Sequence, residues 1–132
     1  MSENQQFSRP VDAYKAIIDQ LVTETSYGVR ERLVREEGIC SKAPNEEAVN
    51  AFVRSLSIEQ RQMLAQILHD ERQGAIHDVL ALLTWWISTR DVGLTFRGEP
   101  IPTELSGEGL DGDYIGRLAD WPWPDGDDPS SP

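Results

Sequence analysis

Ser57 to Thr89 reads SIEQRQMLAQILHDERQGAIHDVLALLTWWIST, and these residues decide the fold. Ser57 followed three residues later by Gln60 is a capping-box pair, the mark of a helix N-terminus. Beyond it, at 100° per residue, Leu64, Ile67, Leu68, Ala75, Val79, Leu82 and Trp86 keep one phase. The phase holds through Gly74, so the spacing predicts a single helix over about Ile58 to Thr89. Ile76, Leu80, Leu83 and Ile87 widen the stripe. A stripe this wide predicts a central helix touched by neighbours on more than one side. Gly74 costs about 1 kcal/mol relative to Ala in a helix interior, which a kink or a close neighbouring backbone would explain.

Upstream, a first helix is expected from near Ser8, with Pro10 in its first turn where the missing N–H is harmless. Val11, Tyr14, Ile17, Ile18, Leu21 and Val22 recur on one face. The pattern weakens at Ser26-Tyr27-Gly28 and resumes at Val29, Leu33 and Val34; whether Gly28 divides it into two helices is left open. Gly38 reads as a C-terminal stop. After Pro44, Asn45 is the expected N-cap of a short helix carrying Val49, Phe52, Val53 and Leu56.

Downstream the chemistry changes. Leu94-Thr95-Phe96, Arg97-Gly98-Glu99 and Pro100-Ile101-Pro102 read as a small hairpin with a glycine turn. Asp111 or Asp113 then opens a short helix with Tyr114, Ile115 and Leu118, and Trp121-Pro122-Trp123-Pro124 closes the fold as a lid. The expected architecture is mainly α: a small bundle of about four helices in one domain, residues 1–124. Helices occupy 8–89, the hairpin 92–103, and the short helix with its Trp-Pro lid 111–124. Residues 125–132 read as a disordered acidic tail by composition.

The formal net charge is −11. Residues 91–132 hold ten acidic and two basic side chains, a net of −8, while the other residues together hold −3. That sign opposes a nucleic-acid phosphate surface and an anionic membrane surface. A single cysteine, Cys40, gives no disulfide framework. The first ten residues, MSENQQFSRP, contain no apolar signal-peptide core, and no run approaches the length of a membrane span. A cytoplasmic location is expected.

Two stretches carry a resemblance: Glu71-Arg72-Gln73-Gly74-Ala75-Ile76-His77-Asp78, and Gly112-Asp113-Tyr114-Ile115-Gly116-Arg117-Leu118 followed by the Trp-Pro segment. They are similar to a family of small uncharacterised bacterial proteins, a domain of unknown function. There a helix with this E-R-x-G-x-I-H-D run precedes a short hairpin and a tryptophan-proline ending. The likeness covers about residues 45–124. It implies the helix-then-hairpin order and no activity.

Candidate chemistry is sparse. On the helical wheel Glu71 and Asp78 fall inside the apolar arc, two turns apart, with Arg72 at its other side. They are the catalytic candidates: a carboxylate pair over Gly74 acting as acid and base, or clamping a cation. The alternative is a buried ion-pair network completed by Arg30, Arg32 or Arg117. His69 and His77 lack the Glu three residues before them that a helical di-iron site uses, so no metal and no cofactor is expected. Cys40 has no histidine base in any known motif and reads as a bystander. Phosphate loops, serine elbows and zinc spacings are missing.

The expected function is therefore a non-enzymatic acidic binding module, an inhibitor or immunity-type protein for a basic protein partner. Glu104, Glu108, Asp111, Asp113, Tyr114, Trp121 and Trp123 are its expected binding residues, because acids flanking aromatics resemble a docking surface. The alternative is a small-molecule-binding protein or a hydrolase- or lyase-type enzyme using Glu71 and Asp78.

Overall fold

The capping box forms as its residues require. The Ser57 N–H donates to Gln60 Oε1 at 2.9 Å, and the Gln60 N–H donates to Ser57 Oγ at 3.1 Å. From it α4 (Ile58–Thr89) runs unbroken for 32 residues in the computed structural model, which describes residues 7–126. Before it come α1 (Pro10–Thr25), α2 (Val29–Glu37) and α3 (Glu47–Ser55). After it come the antiparallel strands β1 (Thr95–Phe96) and β2 (Glu99–Pro100), then α5 (Gly109–Leu118). The protein is thus mainly helical with a short hairpin on its C-terminal side. Among the described residues no helix is long and apolar enough to cross a membrane.

The chain divides into two compact units. A middle unit runs Thr23–Ile76; a terminal unit joins the residues up to Val22 with those from His77 onward. Both boundaries fall within helices, α1 and α4.

In the middle unit Gly28 does divide the upstream pattern into two helices, serving as the N-cap of α2. Gly38 ends α2 in the left-handed conformation, φ 68°, as a glycine stop should. Val34, Cys40, Val53 and Ala65 form the core, with Leu64 and Leu68 packed against it. Asn50 fastens the loop between α2 and α3: its Oδ1 accepts from the Cys40 and Ser41 N–H groups at 2.8 and 3.1 Å, and its Nδ2 donates to the Ser41 carbonyl at 2.8 Å. Asn45 is not the cap of α3. It takes φ 68° in the preceding turn, a conformation asparagine tolerates, and Glu46 holds the cap position.

In the terminal unit Tyr14, Ile18, Leu80, Leu110, Tyr114 and Trp123 are buried. The hairpin pairs Thr95 with Pro100 and Phe96 with Glu99. Both turn residues, Arg97 and Gly98, have positive φ, 52° and 80°, as a two-residue turn matched to strand twist demands. Thr84 of α4 receives α5. Its Oγ1 accepts from the Leu110 N–H at 3.0 Å and donates to the Leu80 carbonyl at 2.9 Å. It thereby satisfies a first-turn N–H that the cap residue Glu108 leaves without a side-chain bond. Gly109 allows this approach: it has φ 83°, and a Cβ there would lie 2.6 Å from Thr84 Cγ2.

The predicted stripe on α4 needs correction. Leu64 and Leu68 do pack on a core, but Ile67, Ala75, Val79, Leu82 and Trp86 are exposed. The middle unit buries Ala65 beside Leu64 and Leu68, whereas the terminal unit buries Leu80. One averaged wheel merges two faces that belong to different packing units. Gly74 has no near neighbour to explain it: α4 runs through it unbroken, and a Cβ there would meet nothing within 4 Å.

Candidate functional site

The C-terminal third is organised by α5. Leu110, Asp113, Tyr114 and Arg117 share one face at three- and four-residue spacing, and the first three of them are buried. Asp113 accepts from the Tyr14 hydroxyl and, at 2.5 Å, from Ser106 Oγ. Burial, then the hydrogen bond to Asp113, holds the Tyr14 hydroxyl above the usual phenol range.

Arg117, one turn further, donates from Nε to Asp19 Oδ1 at 2.7 Å and from Nη1 to the Trp121 carbonyl at 2.8 Å. Asp19 Oδ2 also accepts from Trp123 Nε1 at 3.4 Å. The Trp123 ring lies among Tyr14 (6.0 Å between centroids), the Lys15 ammonium (5.8 Å) and the Arg117 guanidinium (5.2 Å). Lys15 in turn donates to both oxygens of Asp125 at 2.7 Å. Composition assigned Asp125 to the tail; a fully buried ammonium that needs a counter-charge holds it instead. Asp127 and Asp128 lie outside the described residues.

This network locks the Trp-Pro segment by Trp123 and leaves Trp121 outside. Trp123 is 4% exposed and Trp121 60%, with the Trp121 ring edge against Gly116. Two clefts lie in this unit, one of them along the segment. One, of about 150 Å³, is lined by Glu108, Asp113, Arg117, Trp121, Pro122 and Trp123 among others. The other, of about 280 Å³, is lined by Thr84, Ser88, Thr103, Glu104, Glu108 and Gly109 among others. Glu108 borders both.

The expected binding residues therefore separate. Glu104 and Glu108 are exposed, Asp111 is partly exposed and Trp121 is exposed. Asp113, Tyr114 and Trp123 are buried and cannot meet a partner's surface directly. A helix presenting one face inward removes them: the i, i+3, i+4 relation to Leu110 sets Asp113 and Tyr114 inside. Sequence reading missed Tyr14, Lys15, Asp19 and Ser106. The first three sit about 100 positions from their partners, and no local spacing announces such a pair.

The carboxylate candidates on α4 are both exposed, not buried as the wheel predicted. Glu71 and Arg72 are exposed, and Arg72 Nε donates to the Glu24 carbonyl at 3.2 Å. The Asp78 side chain is 83% exposed, with His77 Nδ1 at 3.2 Å. Arg30 and Arg117 pair with Glu46 and Asp19 instead. The inward position assigned to Glu71 and Asp78 came from the same merged wheel. His69 Nδ1 lies 3.1 Å from Glu31 Oε2. Among the described residues no group of three His, Cys, Asp or Glu side chains is arranged to hold a metal.

The sequence matches a family described as a family of unknown function, DUF6547, over residues 7–125. The chain belongs to that family. The match takes in α1 through α5 and the Trp-Pro segment, so the internal network of Tyr14, Asp19, Asp113, Arg117 and Trp123 lies wholly within it. No curated protein and no solved structure matches the chain.

Proposed function

We propose that the protein is a non-catalytic acidic binding module, of inhibitor or immunity type, that docks a basic protein partner on the edge formed by Glu104, Glu108, Asp111 and Trp121. The observation that carries this reading is Glu108, which lines two adjacent clefts at once. A cationic side chain entering the larger cleft meets the carboxylates of Glu104 and Glu108. One lying toward the smaller cleft meets the exposed indole of Trp121, where a cation and an aromatic face attract. Exposed tryptophan beside unburied acids has the composition of a docking anchor. The net −8 of residues 91–132 supplies a field that steers a basic partner inward and weakens with salt. We place the protein in a bacterial cytoplasm, where thiols such as the unpaired Cys40 stay reduced.

Capture from lysate of the source cell tests the reading. Wild type retains a basic protein at low salt and releases it at high salt, and the variant Glu104→Gln/Glu108→Gln retains little. Recovery of no basic protein at low salt, or equal recovery by the variant, refutes it.

A further inference from the structure

The middle unit holds an open cleft that the docking edge does not use. Its volume is about 240 Å³, and Arg30, Arg32, Lys42, Val29, Leu33 and Cys40 line most of it. Its three ionic side chains are all cationic, in a chain whose formal charge is −11. Arg30 and Arg32 leave the first turn of α2; Lys42 and Ser41 come from the loop that Asn50 fastens. Their neutralisation within the protein is incomplete. The nearest carboxylate oxygen to Arg30 is on Glu46 at 3.7 Å, and the nearest to Lys42 is on Glu37 at 3.5 Å. Both exceed the roughly 2.7–2.9 Å of a charge-assisted hydrogen bond. Arg32 forms no ion pair among the described residues. The helix N-terminus beside it, capped by Gly28 with no side-chain bond, adds a partial positive charge of the same sign.

We propose that this cleft binds a small phosphate monoester. Arg32 has no carboxylate partner among the described residues, and Arg30 and Lys42 each keep N–H donors that Glu46 and Glu37 do not fill. A dianionic phosphate meets all three, and its oxygens match the fork of a guanidinium. A monoanionic carboxylate of the same size leaves part of the charge unanswered. Val29 and Leu33 give the rest of the ligand an apolar wall. The cleft is of a size that suits one phosphate with a short body. A nucleic-acid strand does not fit, because a polyanion feels the repulsion of the whole acidic chain, whereas a small ligand feels chiefly charges within about 8–10 Å.

Amide NMR titration of the full chain tests this, with phenyl phosphate as probe and benzoate as its carboxylate counterpart. Phenyl phosphate produces saturable shifts centred on Val29, Arg30, Leu33 and Ser41. Arg32→Gln weakens binding by about five-fold or more, the effect of losing one charged contact. Arg35→Gln, on the same helix but paired with Glu31 outside the cleft, changes affinity by less than about two-fold. Benzoate binds at least about five-fold more weakly than phenyl phosphate. Absence of saturable shifts up to about 10 mM, shifts centred elsewhere, or equal affinity of Arg32→Gln and wild type overturns the site. Equal affinity for benzoate overturns the phosphate assignment. Because Arg32 is exposed, its substitution leaves the fold intact, and matching amide spectra of the free proteins verify this.

Discussion

Asp113 is a carboxylate only 5% exposed, and a buried carboxylate is tolerated when donors fill its oxygens. Tyr14 and Ser106 do so. Tyr14→Phe keeps the ring but withdraws one donor, leaving part of a buried charge unsatisfied; we expect a loss of about 1–3 kcal/mol in chemical denaturation. The same hydroxyl sets an alkaline limit. Unfolded, Tyr14 ionises near its ordinary value of 10.0; folded, burial and Asp113 hold the proton to higher pH. Below that value both states carry the proton and this group adds no slope. Above it the folded state binds more protons, so stability falls by up to about 1.4 kcal/mol per pH unit. Denaturation midpoints measured from pH 9 to 11 should decline for wild type, and more gently for Tyr14→Phe. None of this was legible from residues alone. Asp113 reads as one more member of an acidic run, and its partner lies 99 positions away.

At the scale of elements, local rules read well where local bonds decide. The Ser57–Gln60 box and the 32-residue helix it opens follow from spacing alone. The hairpin turn at Arg97-Gly98 follows from glycine chemistry. Asn45 misled because a good capping residue is equally a good left-handed turn residue, and the turn claimed it. Two glycines separate a tolerated position from a required one. Gly74→Ala should stabilise by about 1 kcal/mol, since helix propensity gains and no atom stands in the way. Gly109→Ala should destabilise by about 1–3 kcal/mol, because its φ is positive and its new methyl meets Thr84. Thermal melts of the two variants should shift in opposite directions.

At the scale of the whole molecule, the chain's long helix serves two units, and periodicity averaged over its length conceals that. Leu80 and Leu82 sit two residues apart; Leu80 is 7% exposed and Leu82 58%. Leu80→Ala should therefore cost about 2–4 kcal/mol and Leu82→Ala under about 1 kcal/mol. Equal costs would restore the single stripe. The fold class was legible because hydrophobic period, caps and turns are local. The docking edge was legible only in part. Composition locates the acidity of the last third, but which of its side chains face outward depends on packing: Glu104 and Glu108, before α5, are exposed, while Asp113 and Tyr114 on α5 are buried.

Position, rather than total charge, is the central claim, and one rate separates the two. The association rate constant of the captured basic partner should be measured across ionic strength for three proteins. These are wild type, Glu104→Gln/Glu108→Gln, and Asp70→Asn/Glu71→Gln, the last removing the same charge from exposed positions on α4. Steering by a located acidic edge predicts that the first variant associates several-fold more slowly at low salt and loses much of its salt dependence, while the second stays close to wild type. Identical rates and identical salt slopes for the two variants would contradict it, showing that the partner responds to net charge and not to Glu104 and Glu108.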